Sequence, residues 1–402
     1  MDQPELDVAR VRAAFPALAE GAAHFDGPGG SQVPTVVGRA IADTICAAIA
    51  NRGTVTAAER RADEAVLAAR AAMSDLLGCE PDGVVFGRSM TQLTYDIART
   101  LARRWGSDDE VVVTRLDHDA NVRPWVQAAE HAGATLRWAA FDKATGELSV
   151  DAVAGELSAR TRLVAVTAAS NLLGTRPDVA AIAAAAHDAG ALVFVDGVHL
   201  TPHAAVDVAA LGGDFFVCSP YKFLGPHHGV LAADPALLGS LQPDNLLPQT
   251  NEVPECFELG TLPYELLAGT TATVDYIAGL VPSTGGRRAG LLASMGAVER
   301  HEERLFARLL AGLESLPDVA VHGQPAHRTP TALFSMAGRS PEEVAQLLAG
   351  RGVNAPAGSF YALEASRWLG LGDDGAVRAG IAPYTDDEDV DRLLDGVVAI
   401  AG

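Results

Sequence analysis

The chain of 402 residues has a hydrophobic fraction of 49%, a charged fraction of 20% and a formal net charge of −21. This length and composition predict a globular enzyme with a large core and two domains. The negative charge would repel phosphate backbones and anionic lipids, so nucleic acids and membrane surfaces are excluded as partners.

The pattern of cysteines and apolar residues bears on the cellular location. The chain begins with an acidic segment, Met1–Asp7, that lacks the basic and apolar layout of a secretory signal. No apolar stretch is long enough to span a bilayer. Cys46, Cys79, Cys218 and Cys256 show no paired spacing of a disulfide framework or a zinc site. We therefore predict a cytoplasmic protein without a metal site.

Short apolar runs alternate with alanine-rich amphipathic stretches up to about residue 283. Runs that are apolar on both faces and separated by helical stretches predict a mostly parallel sheet covered by helices on both sides. Active sites of such sheets lie at the carboxyl ends of the strands. The predicted strands are Val84–Gly87, Val111–Arg115, Leu136–Phe141, Leu163–Thr167, Leu192–Asp196, Phe215–Cys218 and Val230–Ala232.

The pattern changes from about Thr284. A long amphipathic helix is predicted first, and strands, a further helix and a final helix from Asp386 follow it. We therefore predict a large domain over 25–283 and a smaller α+β domain over 284–402, with the segment 1–24 packed against the smaller domain. The internal elements are predicted at Ala289–Leu316, Val319–His322, Ala332–Ala337 and Pro341–Arg351.

Lys222 is the most informative residue, because it stands just past the apolar run Phe215–Cys218. Upstream, the run Leu192–Val195 ends in Asp196, and the interval up to Lys222 leaves room for one helix. A pyridoxal phosphate (PLP) enzyme needs a lysine that forms a Schiff base and a carboxylate that keeps the pyridine nitrogen protonated. The pair therefore predicts PLP as the cofactor.

Further motifs accompany this pair in order along the chain. They are Ser89-Met90-Thr91, Asp117-His118-Asp119-Ala120-Asn121, Ser170-Asn171-Leu172-Leu173-Gly174-Thr175, Phe257-Glu258-Leu259-Gly260-Thr261 and Val377-Arg378-Ala379-Gly380-Ile381-Ala382-Pro383-Tyr384. With them the chain from about Phe25 to Tyr384 resembles the class V, fold-type I PLP enzymes. Within that family it resembles the cysteine desulfurase-like branch, which includes selenocysteine lyases and isopenicillin N epimerase. The resemblance implies a large domain with a seven-stranded, mostly parallel sheet.

The resemblance implies a phosphate site made by two parts of this chain and one part of a second copy. Ser89, Met90 and Thr91 begin a helix whose first amides, with the Thr91 hydroxyl, form an anion site, although a plain helix cap is the alternative. Ser219 suits a second phosphate contact. Thr261 matches a threonine that reaches the phosphate of the neighbouring subunit, which implies a homodimer with shared active sites.

Around the pyridine ring, the resemblance implies three further contacts. His118 would stack on the ring, and the alternative is a surface histidine paired with its acidic neighbours. Asn171 would donate to the cofactor's 3-oxygen, unless it only supplies turn chemistry. His199 can reach the same oxygen, whereas His203 is interpreted as structural.

On the substrate side, the resemblance implies that Arg378 holds the α-carboxylate, because a planar guanidinium can make two parallel hydrogen bonds. A surface arginine is the alternative. Persulfide-forming desulfurases carry a cysteine on a C-terminal loop, and the corresponding segment, Asn354–Tyr361, has none. A persulfide relay cannot run through that loop without a thiolate. Cys256, in a segment expected to visit the partner's site, is the remaining candidate, since Cys218 is expected inside a strand.

We therefore predict a PLP-dependent C–S β-lyase that acts on cysteine or an S-substituted cysteine. Lys222 would remove the α-proton, Asp196 and His118 would support the ring, and sulfur would leave from the β-carbon without a cysteine nucleophile. Transamination, epimerisation or decarboxylating deamination on the same scaffold remains open, because fold and cofactor do not choose the bond that breaks. A catalytically idle scaffold is a further alternative, against which the presence of Lys222 and Asp196 argues.

Overall fold

The structure is a computed structural model in which residues 5–401 are described. Helices and strands alternate along most of it. The helices are α1 (Val8–Ala13), α2 (Thr35–Cys46), α3 (Ala57–Leu77), α4 (Met90–Ala102), α5 (Arg123–Ala132), α6 (Val150–Ala154), α7 (Val179–Asp188), α8 (Val208–Leu211), α9 (Pro235–Gly239), α10 (Tyr264–Ala278), α11 (Arg287–Glu314), α12 (Pro341–Ala349), α13 (Leu363–Trp368) and α14 (Asp387–Ala401).

The strands form one large sheet and two smaller ones. They are β1 (Ala23–His24), β2 (Val84–Gly87), β3 (Glu110–Thr114), β4 (Thr135–Ala139), β5 (Thr161–Thr167), β6 (Leu192–Asp196), β7 (Phe215–Cys218), β8 (Gly229–Ala233), β9 (Val319–His322), β10 (Thr331–Met336), β11 (Val353–Asn354), β12 (Ala357–Gly358) and β13 (Ala376–Gly380).

The central sheet has seven strands in the order β2-β8-β7-β6-β5-β3-β4. Strand β8 runs antiparallel to both neighbours, and the other neighbouring pairs are parallel. The predicted α/β fold with a seven-stranded, mostly parallel sheet is therefore confirmed. Each predicted strand coincides with one of β2 to β8, and the ends differ by at most two residues.

Helices cover both faces of this sheet, because side chains on both faces are apolar. On β3, Val112 packs in one buried cluster with residues of α3, α7 and α10. Its neighbours Val111 and Val113 pack in a second cluster with residues of α4 and α5. Successive residues of a strand point to opposite faces, so a run without polar interruption fills both clusters.

The C-terminal part has its own core and sheet. The antiparallel order β12-β13-β10-β9 packs with α11, α12 and α14 around a third buried cluster. Strand β1 pairs in parallel with β11, so the N-terminal segment lies on this part of the molecule. The domain limits themselves stay predictions. Within residues 5–401, no helix combines the length and apolarity needed to cross a membrane.

Candidate active site

Two adjoining cavities lie at the carboxyl ends of the central strands. The smaller, here the inner cavity, has a volume of about 80 Å³, and the larger, here the outer cavity, about 550 Å³. Lys222 lines both. Parallel strands β3, β5, β6 and β7 all end at this edge, so the loops that follow them converge. The predicted residues that line the inner cavity are Ser89, Met90, Thr91, His118, Asn171, Asp196, His199, Ser219 and Lys222.

The Lys222 amine lies in a short 3₁₀ turn, Pro220–Lys222, directly after β7. Its Nζ donates a hydrogen bond to the carbonyl oxygen of Pro28. Burial and the charge on Arg378 lower the pKa of this amine, Asp196 opposes them, and the result is a pKa of about 7. Close to neutral pH, a large share of Lys222 is therefore unprotonated and able to act as a nucleophile or base.

Asp196 ends β6 and is 4% exposed. Burial raises the pKa of its carboxyl to about 6, and a hydrogen bond from the Val198 amide at 2.9 Å and the Lys222 charge oppose the rise. Glycine is needed at position 197, because a Cβ there would lie 1.9 Å from the Phe216 ring. A buried carboxylate with few partners of its own suits a cationic N–H from a ligand.

The start of α4 forms one end of the inner cavity. Ser89 is its N-cap and accepts from the Gln92 amide at 3.1 Å, so its hydroxyl already has a structural partner. The first amides of a helix have no acceptor within the helix, and Met90 and Thr91 supply two of them. Gly229 packs directly behind, where a Cβ would lie 2.2 Å from the Ser89 carbonyl carbon. This end of the cavity could hold a phosphate.

His118 is held by a buried network. Its Nδ1 accepts from the Ala120 amide at 3.0 Å. The preceding Asp117 accepts from Asn121 at 2.7 Å, and Asn121 in turn accepts from the Trp125 indole at 3.1 Å. Burial lowers the pKa of His118 to about 4, and the Lys222 and Arg378 charges add to this effect. The imidazole is therefore neutral.

Asn171 and His199 occupy the wall between the inner cavity and the C-terminal part. Asn171 Nδ2 donates to the carbonyl oxygen of Phe360 at 2.9 Å, which leaves Oδ1 buried without a partner. The predicted donor group is thus engaged, and the free atom is an acceptor that suits a hydroxyl. His199 contacts the Thr331 hydroxyl at 3.0 Å, and burial lowers its pKa well below the usual range.

Arg378 is 2% exposed and lines the outer cavity. Its Nη1 donates to the Asn171 carbonyl oxygen at 2.8 Å, and its Nε is buried without a partner. Burial lowers the pKa of Arg378 to about 9, which leaves the guanidinium charged at neutral pH. A buried cation with an unsatisfied donor fits a carboxylate. The surface-arginine alternative is thus wrong for this position.

The segment Asn354–Tyr361 reaches the same cavity with two aromatic side chains. The Phe360 ring centroid lies 3.7 Å from the Arg378 guanidinium carbon. The Tyr361 ring stacks on the His118 ring, with centroids 5.6 Å apart. Sequence reasoning identified this segment only by its lack of cysteine. The sequence of Asn354–Tyr361 does not predict that Phe360 and Tyr361 reach the outer cavity. Their left-handed backbone conformation places the two rings there, and that conformation depends on tertiary contacts.

Thr261 lies on the surface and lines neither cavity. Nearby, Glu258 accepts from buried Arg70 at 2.8 Å and from the Phe86 amide at 2.9 Å. These bonds attach the Glu255–Phe257 turn and Glu258 to β2, just before the start of α4. Within one chain the structure therefore does not bring Thr261 to the inner cavity, and its predicted role depends on a second copy.

None of the four cysteines lines the inner or outer cavity. Cys218 is fully buried in β7 and Cys256 is 4% exposed. Burial raises the pKa of both thiols, and it raises the pKa of Cys79 to about 12. A buried thiol with a raised pKa carries little thiolate at neutral pH, and the thiolate is the reactive form.

The sequence prediction missed the glycine-rich loop Gly27–Gly30. Pro28 lines both cavities and accepts the Lys222 hydrogen bond. A Cβ at Gly30 would lie 3.4 Å from the Tyr221 ring, and one at Gly29 would lie 3.6 Å from Arg378. The Gly-Pro-Gly-Gly run is itself a turn signal and could have indicated a close approach of backbone to the site.

Comparisons with known proteins identify the family and the fold of this chain. The family model described as Aminotransferase class-V matches residues 23–393. The uncharacterized protein MT3887 of Mycobacterium tuberculosis is 35% identical, over 98% of this chain and 99% of its own length. A cysteine desulfurase of Cronobacter sakazakii is 30% identical over 97% of both chains. The apo structure of a cysteine desulfurase from Thermococcus onnurineus superposes with a TM-score of 0.89 at 25% identity, over 100% of this chain and 99% of that one.

Proposed function

This chain belongs to the aminotransferase class-V family and is a PLP-dependent enzyme, and from that premise we propose that it is a C–S β-lyase acting on L-cysteine or an S-substituted cysteine. One observation carries the proposal. Beside Lys222 and Arg378, the segment Asn354–Tyr361 contributes two aromatic rings and no thiol. A lyase of this kind needs an α-proton acceptor and a carboxylate anchor, and it needs no sulfur acceptor.

The inner cavity fits the cofactor by its unpartnered groups. The start of α4 would take the phosphate, Asp196 the ring nitrogen and Asn171 Oδ1 the ring hydroxyl, while His118 would cover one ring face. When bound, PLP withdraws electrons from the substrate α-carbon. Asp196 sustains that withdrawal, because its buried carboxylate stabilises a proton on the pyridine nitrogen.

Lys222 has two tasks in this proposal. Its Nζ would hold the cofactor covalently in the resting enzyme, and the same amine, once free, would take the proton from the substrate α-carbon. Its lowered pKa of about 7 suits both tasks, since a base works best when its pKa is near the working pH. Expulsion of the sulfur group from the β-carbon then leaves aminoacrylate, which hydrolyses to pyruvate and ammonia.

Arg378 orients the substrate for that step. Its buried guanidinium is covered by Phe360 on one face and tied to the Asn171 carbonyl through Nη1. The edge that carries the unpartnered Nε is left for the α-carboxylate. A fixed anchor holds the bond to the α-hydrogen in one direction, and that choice of bond determines which reaction follows.

We also propose a homodimer in which Thr261 binds the cofactor phosphate of the second subunit. Thr261 is exposed, and three exposed leucines lie in its neighbourhood along the chain: Leu246 (63%), Leu247 (102%) and Leu259 (46%). Large apolar side chains exposed near a functional loop support a contact surface.

The test is a substrate screen of the purified holoenzyme with L-cysteine, cystine, S-methyl-L-cysteine and S-benzyl-L-cysteine. Pyruvate, ammonia and the released sulfur compound (sulfide from L-cysteine, cysteine persulfide from cystine, a thiol from the S-substituted cysteines) should form in equal amounts, and the Lys222→Ala variant should form none. A keto acid that retains the sulfur substituent would instead identify a transaminase. Turnover of L-cysteine with persulfide trapped on Cys256, abolished by Cys256→Ser, would identify a desulfurase with an unexpected nucleophile.

A further inference from the structure

Two consecutive residues of the segment Asn354–Tyr361 have left-handed backbone conformations. Phe360 has φ of 53° and Tyr361 has φ of 58°. Bulky residues rarely adopt this conformation, and it persists where surrounding contacts impose it. Contacts of Phe360 and Tyr361 with their surroundings must therefore hold this strained backbone in place.

Hydrogen bonds to two loops of the central sheet hold the pair in place. The Asp119 amide donates to the Tyr361 carbonyl at 2.7 Å, and Asn171 Nδ2 donates to the Phe360 carbonyl at 2.9 Å. The two side chains differ in exposure. Phe360 is half-buried over Arg378, whereas Tyr361 is 77% exposed and faces the outer cavity.

The outer cavity offers aromatic surface and few free charges. Tyr95 and Tyr221 line it together with Tyr361. Arg123 and Asp119, which also line it, pair with each other at 2.9 Å. Arg378 and Lys222 are committed to the substrate carboxylate and the α-carbon. The part beyond them therefore suits a neutral group rather than a second carboxylate.

The volume has room for a group larger than a thiol. A water molecule occupies about 30 Å³ of liquid, and the outer cavity measures about 550 Å³. A bare –SH group would leave most of this space to solvent, and the exposed Tyr361 ring would have no ligand to contact.

We propose that Phe360 and Tyr361 form a recognition wall for a neutral, planar substituent on the substrate sulfur, such as a benzyl or aryl group. This inference rests on the proposed lyase function and specifies its substrate class. Phe360 holds Arg378 in position, and Tyr361 stacks on the planar substituent. Tyr361 is the specificity-determining residue, because it is the exposed ring of the pair.

The experiment compares kcat/KM for S-benzyl-, S-methyl- and S-carboxymethyl-L-cysteine. Tyr361→Phe keeps the ring, and Tyr361→Asn removes it with a residue that tolerates the left-handed conformation. Tyr361→Gly provides a second ring-free variant without backbone strain. Leu292→Asn, a change of an exposed apolar residue on α11, is the control for surface effects.

The wild-type protein should prefer the benzyl over the methyl substrate and use the carboxymethyl substrate least. The benzyl-to-methyl ratio should fall roughly three- to tenfold in Tyr361→Asn and Tyr361→Gly, as for the loss of one aromatic stack. It should be kept in Tyr361→Phe and Leu292→Asn. An unchanged ratio in both ring-free variants, or a preference for the carboxymethyl substrate, would refute the wall.

A binding measurement separates this inference from the lyase proposal. The Lys222→Ala protein, colourless as purified, is resupplied with PLP and titrated with the same amino acids, and binding is read from the visible spectrum, which needs no C–S cleavage. The benzyl compound could bind more tightly in a Tyr361-dependent way and still not be turned over by the wild-type protein. That outcome would support the recognition wall and contradict the lyase proposal. C–S cleavage without a Tyr361-dependent preference for the benzyl compound would support the lyase proposal and contradict the recognition wall.

Discussion

The inner and outer cavities adjoin at Lys222, but they are built from different kinds of structure. The inner cavity is lined mainly by residues at the ends of β2, β5, β6 and β7 and at the start of α4. The outer cavity is completed by Gly29, Phe360 and Tyr361, which come from distant parts of the chain and do not line the inner cavity. Strand ends are positioned by the sheet, whereas loops can change without disturbing it. Cofactor binding and substrate choice are thereby separated.

The largest expected effect comes from Lys222, which both cavities share. The chain contains two lysines, Lys143 and Lys222. Lys222→Ala should lower kcat by more than about a thousandfold and give a colourless protein, because it removes both the attachment point and the base. Borohydride reduction of the yellow wild-type protein, followed by mass spectrometry, should place the adduct on Lys222. Exposed Lys143 is an internal control, and an adduct there would overturn the assignment.

The amine of Lys222 should also titrate unusually low in the cofactor-free protein. Its folded pKa of about 7 lies below the unfolded value of about 10.4. The unfolded chain therefore binds more protons between these values, and the contribution of Lys222 to stability rises with pH across that window. Acylation of Lys222 should be half-maximal near pH 7 and reach its plateau roughly one to two pH units above that. A labelling rate that keeps rising to pH 10 would show that the site does not desolvate the amine.

Arg378 tests the outer cavity. Arg378→Lys keeps the positive charge and loses the planar fork, so KM should rise and kcat should fall as orientation is lost. The loss in kcat/KM should be roughly ten- to a hundredfold, as for a hydrogen bond to a charged group. Arg339→Lys, in an exposed pair with Glu343, is the matched control. Equal kinetics for the two variants would remove Arg378 from the site.

Thr261 tests whether the inner cavity is complete within one subunit. Thr261→Ala should weaken PLP binding by on the order of 1.5–3 kcal/mol, because one hydrogen bond to a charged group is lost. Cofactor dissociation constants and sedimentation of the wild-type and variant proteins would measure this. A wild-type monomer with full cofactor occupancy would reject the shared site.

The smallest effect is expected from the cysteines, which lie outside both cavities. Cys46→Ser, Cys79→Ser, Cys218→Ala and Cys256→Ser should each leave turnover largely intact, apart from small packing losses at the buried positions. Sulfur should leave as free thiol or sulfide. Loss of turnover in Cys256→Ser alone, with normal thermal stability, would contradict a lyase that needs no thiol.

The sequence by itself determined the fold and identified most of the residues that line the inner cavity. The doubly apolar runs predicted all seven central strands, since a strand buried on both faces cannot alternate polar and apolar residues. Asp196 and Lys222 follow two of these runs directly. Short-range spacing therefore sufficed to predict that they meet at one edge of the sheet.

Only the tertiary structure decided how the segment Asn354–Tyr361 completes the outer cavity. Asn171 turns its amide nitrogen to Phe360, and Tyr361 meets His118, although each pair is far apart in the sequence. The left-handed conformations of Phe360 and Tyr361 run against the local preference of bulky residues, so no local pattern predicts them. Such contacts are set by how the C-terminal part packs on the central sheet, which periodicity along the chain does not encode.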